Sequence, residues 1–397
     1  MKYLSLTLAT CIQIIFINFS AAQTVRIADN NFNTPTGPNI YPTIQEAVDA
    51  ASPGDFIYIQ PSPNKYGDAT IDKELHFVGI GFELTKDLPY KSVMNNLTLV
   101  NNADNTSNPS NSTFKGIDFT GIVPDFGTTS YLLQNVKFIN CIIRRLAPST
   151  FNGDPPTDGL ELIACNIVGS VIFYKQATNM IVRNCLIRTN DFWFRSTSPT
   201  SAVISNNIIY AHIRKSSVGD NVIIKNNNFI GTKGSDAAFS SQMENALVSN
   251  NIFYGRTPSI GINGSTSSDF EANVFNNNIS YETGDDTLPP TGGGAGNTGQ
   301  DNIEATSPQF VDVLILDSFS PDADFTLDTG SPAIGAGSDG TDIGITGGAY
   351  PFTTNPSTGK INYLMRPTAL PTIEILNTST VINPGDDLDV RVKATSN

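Results

Sequence analysis

Histidine occurs only twice in this chain, tryptophan once and cysteine four times, and these scarcities narrow the chemistry available. There is no C-x-x-C pair, and no His lies close in sequence to a Cys, which argues against a zinc site. Cations are also short: 23 Lys and Arg stand against 37 Asp and Glu, for a net charge of −14. Basic runs interleaved with aromatics are missing, so nucleic acid is not an expected partner. The acidity suits solubility outside the cell. No apolar run is long enough to cross a membrane. The L-x-x-L-x-L spacing of leucine-rich repeats is absent too.

What is present begins with a separable leader. Lys2 gives it a positive start, Leu4 to Phe19 an interrupted apolar stretch, and Ser20-Ala21-Ala22 a small-residue cleavage site. This pattern predicts a secretory signal peptide cut near Ala22, and hence a secreted or cell-surface protein. Leu8-Ala9-Thr10-Cys11 matches a lipoprotein cleavage box only loosely.

The middle of the chain repeats one phrase: an aliphatic, a small or polar residue, a pair containing Asn or Cys, then two apolar residues. It reads F-I-N-C-I-I at 138–143, V-R-N-C-L-I at 182–187 and I-S-N-N-I-I at 204–209. I-K-N-N-N-F at 224–229 and V-S-N-N-I-F at 248–253 continue it. Anchors taken at Ile117, Cys141, Asn166, Cys185, Asn207, Asn227, Asn251 and Asn278 are 24, 25, 19, 22, 20, 24 and 27 residues apart. A period of this size marks a solenoid, in which each repeat buries its apolar face by stacking on its neighbours. Ile, Val and Phe dominate over Leu, which favours strands. Inward amides on rungs about 4.8 Å apart should hydrogen-bond into a ladder, and Asn also suits a left-handed corner. The predicted ladder is Cys141, Asn166, Cys185, Asn207, Asn227, Asn251 and Asn278.

In this register Cys141 and Cys185 lie two rungs apart, about 9–10 Å and beyond disulfide reach. Cys165 falls one residue off. Buried free thiols are favoured over a disulfide or a metal site. Ahead of the repeats, Thr43-Ile44-Gln45-Glu46 is a capping box for a short amphipathic helix that Pro53-Gly54 ends. At that position it would cover the open end of the solenoid.

The opening Y-P-T-I-Q-E-A-V-D-A-A-S-P-G-D-F-I-Y-I, the N-N-I-F phrases and the closing G-S-P-A-I-G-A-G-S-D-G-T-D-I-G at 330–344 resemble the pectate-lyase-like superfamily of right-handed parallel β-helices. The resemblance implies an all-β chain: a single-stranded right-handed parallel β-helix solenoid with an N-terminal capping helix and a small C-terminal β appendage. The expected organisation is a leader at 1–22 and a β-helix at 23–352, with repeats over about 56–320 and a closing segment at 321–352. A linker at 353–371 and a hairpin at 372–397 follow. Asp285 to Gln300 reads as a Gly/Pro-rich loop or lid.

For function, the resemblance implies a polysaccharide partner. The N-T-D, G-H-G and R-I-K elements of polygalacturonase-type hydrolases are missing as a set, so a lyase is favoured over a hydrolase if the chain is an enzyme. The Arg clusters of calcium-dependent pectate lyases have no match either. Counting three and five residues past each anchor gives one outer row: Arg144, Arg188, Tyr210 with His212, and Tyr254 with Arg256. Arg214 extends the His212 face. Arg grips carboxylates or sulfates and Tyr stacks on sugars, so Arg144, Arg188, Tyr254 and Arg256 are the candidate binding residues. His212, Tyr210 and Arg214 are the candidates for uronic-acid β-elimination, with His212 or Tyr210 as base. Ordinary cross-strand pairing on an exposed sheet would place the same residues there. Asp322, Asp324, Asp339 and Asp342 leave room for Ca2+, although turn chemistry explains them as well. The rival to a polysaccharide-binding or -processing protein is a non-catalytic adhesive or structural solenoid.

Overall fold

The computed structural model describes residues 24 to 395 except 33–36, 84–89, 102–105, 126–130, 148–154, 189–191, 196–199, 216–220, 233–236, 241–242, 260–269, 291–295, 314–317, 355–358, 362–363, 366–371 and 379–389. The leader expected at 1–22 lies outside the described residues.

The repeats wind as a parallel β-helix. A 13-stranded sheet runs from Ile40–Tyr41 to Thr298–Gln300, and a 10-stranded sheet from Ala69–Ile71 to Ile279–Tyr281. A 5-stranded sheet from Val171–Phe173 to Thr257–Ser259 forms the third face. Successive turns pair in parallel with matched phrases: Phe138 lies against Phe114 and Leu162, and Ile209 against Ile187 and Phe229. Alternation puts one side of each strand in a continuous core. Phe77, Phe114 and Phe138 stack there at 5.1 and 4.9 Å, and Phe229 on Phe253 at 5.0 Å.

The Asn pair divides its work. The first member takes the left-handed backbone at the corner between two strands, as at Asn140, Asn184, Asn206, Asn226, Asn250 and Asn277, with φ of 53–57°. The second member turns inward. Asn207 donates to Asn227 Oδ1 at 2.9 Å, Asn227 to Asn251 at 2.9 Å, Asn251 to Asn278 at 3.0 Å and Asn278 to Asn302 at 3.1 Å. Cys185 takes the next place, accepting from the Cys165 backbone N–H at 3.3 Å.

The register corrects one expected rung. Ile142 pairs with Asn166 and Ile143 with Ile167, so Cys165 follows Cys141 in the ladder and Asn166 belongs to the outer face. The 25- and 19-residue gaps around Asn166 came from that one-residue slip. Cys141, Cys165 and Cys185 are buried free thiols whose Sγ atoms meet carbonyls at 3.3–3.4 Å.

Helix Ile44–Ala50 starts as the capping box predicts, with the Thr43 side chain accepting from the Glu46 N–H. Ile44, Ala47 and Val48 are buried, and the helix packs on Val25–Ala28 and Ala69–Ile71 at the end of the solenoid. The segment read as a Gly/Pro loop is partly structural: Leu288 is buried, and Thr298–Gln300 extends the long sheet. Near the C-terminus, Thr372–Thr378 and Val390–Thr395 form an antiparallel pair. Between them and the repeats, Leu364–Met365 pairs with Phe82–Glu83 and Ile361 is buried, so that stretch is more than a tether.

Candidate functional site

After the last repeat the chain turns back along the outer face of the 10-stranded sheet and straps it. Phe319, Phe325, Ile345, Phe352 and Ile361 form one apolar cluster with Ile142, Leu186, Ile208, Tyr210 and Ile230. The corner Asn residues fasten the strap. Asn184 donates to the Tyr350 carbonyl at 2.9 Å, Asn206 to Gly347 at 2.7 Å and Asn277 to Ala336 at 3.2 Å. Asn250 Oδ1 accepts from the Ser338 N–H at 2.9 Å.

This strap divides the row expected from the repeat. Tyr210 is 7% exposed under an edge-on Phe319, and burial pushes its phenol pKa well up. Tyr254 is half-buried, stacks on Tyr281, meets Phe310 edge-on and donates to the Val313 carbonyl. Arg256 is 2% exposed and donates to the carbonyls of Ile230, Ala237 and Tyr210 at 2.9, 3.2 and 3.0 Å. It staples the corner. The solvent-facing positions expected of Tyr210 and Arg256 are therefore corrected to buried ones: the strap covers Tyr210, and carbonyls of neighbouring turns hold Arg256.

Arg144 and Arg188 stay open. Arg144 keeps a side chain 47% exposed while its Nη2 donates to Asp118 Oδ2 at 2.7 Å. Asp118 is 6% exposed, and burial raises its pKa against the pull of Arg144, Lys91 and Lys65. Arg188 is exposed two rungs on, its pKa lowered by partial desolvation and then by the charge of Arg144. On the rung between them Val168 stands in register, and Asn166 lies two residues earlier, in line with Ile142 and Leu186. Asp118 Oδ1 and Asn166 Oδ1 are both buried acceptors that meet no donor.

His212 and Arg214 turn onto the third face, with Ile213 buried between them. The Nδ1 of His212 donates to the Ala237 carbonyl, the acceptor it shares with Arg256. Arg214 lies in register with Trp193, its guanidinium 4.7 Å from the indole centroid. The structure therefore separates His212 and Arg214 from Tyr210 and from Arg144 and Arg188. His76, the other histidine, is bonded to Thr113 and packed on Phe56.

The late aspartates act as turn residues. Asp324 and Asp339 each accept from a Thr hydroxyl at 2.6 Å, and Asp342 from the Gly335 N–H. Among the described residues no group of three or more His, Cys, Asp or Glu converges as metal ligands. None of their helices is long and apolar enough to cross a membrane.

Several solved structures are similar in their winding, among them two that match over most of their own length. One is pectate lyase Pel9A, at 13% identity over 86% of this chain and 96% of that one, with a TM-score of 0.44. The other is the alginate lyase from Paenibacillus sp. str. FPU-7, at 12% identity over 66% and 93%, with a TM-score of 0.27. No family model matches the chain, and no curated protein matches it in sequence. At these identities and TM-scores, neither structure speaks to what this chain acts on.

Missing from the expected set were Asp118, Trp193 and Arg195. Trp193 and Arg195 lie outside the repeated phrase. Their signal is the V-I-F, F-W-F and I-R-K alternation that starts four or five residues after the buried Ile167, Ile187 and Ile209. Asp118 sits in the degenerate F-K-G-I-D-F copy, where Ile142 and Leu186 stand in later turns.

Proposed function

We propose that the protein binds an acidic polysaccharide through the patch of Arg144 and Arg188, and that its leader directs it to work outside the cell. The observation that supports this is the pair of exposed guanidinium groups two rungs apart on the outer face. The charge of Arg144 works against that of Arg188, and an anion between them would relieve that repulsion. The buried Asp118 carboxylate holds one of them, Arg144, in place through Oδ2. A uronic-acid unit supplies the carboxylate complement that the two Arg side chains lack.

Binding is favoured over cleavage. Elimination at C5 needs a base within reach of the carboxylate-neutralising Arg. Tyr210 is walled off under the strap and His212 lies on another face.

Titration with polygalacturonate and alginate, each against a neutral dextran, tests the proposal. Affinity should be salt-sensitive, confined to the acidic chains and reduced about tenfold or more by Arg188→Ala, the loss of one charge-assisted contact. Equal affinity for dextran, or an unchanged Arg144→Ala, Arg188→Ala variant, would remove the site. A rise in absorbance from unsaturated products would replace simple binding with lytic action.

A further inference from the structure

The third face carries a second cationic cluster built from residues outside the repeated phrase. Ile172, Trp193 and Arg214 stand in register on three rungs, between buried neighbours Val171, Phe192 and Ile213 on one side and Phe173 and Phe194 on the other. Two residues along its strand from Trp193, Arg195 returns to the same face. Its guanidinium lies 4.6 Å from the Trp193 centroid and 5.1 Å from that of Tyr174, and its Nη1 donates to the Tyr174 hydroxyl at 3.4 Å. One indole thus carries two guanidinium groups, from Arg195 and Arg214, each within 5 Å of its centroid. Two like charges on one ring repel, and the ring quadrupole offsets part of that repulsion.

Local charge supports a ligand. Acidic residues outnumber basic ones 37 to 23 in the chain, yet segments 171–175, 192–195 and 213–214 hold Lys175, Arg195 and Arg214 and no Asp or Glu. Stacking on an aromatic face also removes rotamer freedom from a guanidinium before any ligand arrives, so less is lost on binding.

We infer that this face is a second anion site, distinct from the Arg144 and Arg188 patch, and that it takes the sulfate esters of a sulfated polysaccharide. The choice of sulfate follows from geometry. A carboxylate offers two coplanar oxygens, which one guanidinium fork satisfies. Arg195 and Arg214 approach the indole from different rungs, so a tetrahedral group whose oxygens point in several directions bridges them better. The inference does not rest on uronic-acid binding at the other patch.

Trp193 is the chain's sole tryptophan, so its fluorescence reports on this face alone. Dextran sulfate added to the full-length protein should change the emission saturably and in a salt-sensitive way. Unsulfated dextran should not, and polygalacturonate should act at least about tenfold more weakly. Arg195→Ala with Arg214→Ala should abolish the change while circular dichroism and the unfolding midpoint hold. Arg144→Ala with Arg188→Ala should leave it intact. No response to dextran sulfate, a response that survives in the Arg195→Ala, Arg214→Ala variant, or equal responses to sulfate and carboxylate chains would each overturn the inference.

Discussion

Asn206 and Asn207 are adjacent in the chain and serve opposite sides of the wall. Asn206 sends its amide outward to the Gly347 carbonyl of the strap, and Asn207 sends its amide inward to Asn227. Every N-N pair therefore does two jobs, and they should separate experimentally. Asn227→Ala orphans the buried Asn207 N–H and Ile204 carbonyl and cuts the ladder. At about 1–3 kcal/mol per orphaned group, it should lower the urea unfolding free energy by about 3 kcal/mol. Asn206→Ala should cost only about 1–2 kcal/mol but open the strap at 338–350 to limited proteolysis. Equal strap protection in the two variants would show that the corner amides do not hold it.

Ala164 occupies the left-handed corner that Asn140 and Asn184 take in neighbouring turns, at φ 51°. A residue with a Cβ pays about 1–2 kcal/mol there, and glycine pays almost nothing while gaining some unfolded-state entropy. Ala164→Gly should therefore stabilise the protein by about 0.5–1 kcal/mol, read as a higher thermal midpoint. The same change at Ala177, a buried strand residue outside the left-handed region, should destabilise it.

These corners also show how far the sequence speaks. The winding, the inward ladder and the capping helix are legible because each follows from a period or a local hydrogen bond. Asn166 was misplaced because its turn breaks the N-N pattern: Ala164 and Cys165 fill the corner and the ladder, leaving the only Asn one residue late. The strap was illegible for another reason. Asn206 and Gly347 lie 141 residues apart, and nothing periodic in the closing segment points to the sheet it covers. Whether Tyr210 met solvent was decided by Phe319, and no spacing rule joins those two residues.

Asp118 should make stability respond to pH in the sense opposite to an ordinary ion-paired carboxylate. Burial raises its folded pKa above the ordinary value of 3.8, outweighing Arg144. Between those two values the folded chain binds more protons than the unfolded one, so stability falls as pH rises through the window. Asp118→Asn removes that titration. Chemical denaturation of both proteins from about pH 3.5 upward should show the wild type losing stability relative to the variant as pH rises. The opposite slope would mean that Arg144 dominates and that the carboxyl is held below its ordinary value.

Arg256 and Tyr210 were both expected at a binding surface, and their burial separates structural from functional effects. Arg256 gives three hydrogen bonds to carbonyls of Tyr210, Ile230 and Ala237, joining neighbouring turns at one corner. Arg256→Met keeps much of the side-chain length but leaves those acceptors without their donor. At about 1–3 kcal/mol per unsatisfied group it should destabilise by about 3 kcal/mol or more, seen as a lower urea midpoint. Tyr210→Phe removes only a hydroxyl beneath the strap, so it should shift the midpoint by less than about 1 kcal/mol. It should also leave polygalacturonate affinity unchanged, in contrast to Arg188→Ala. A loss of binding in Tyr210→Phe without loss of stability would mean that the strap lifts in solution and returns the row to the surface that the repeat alone implies.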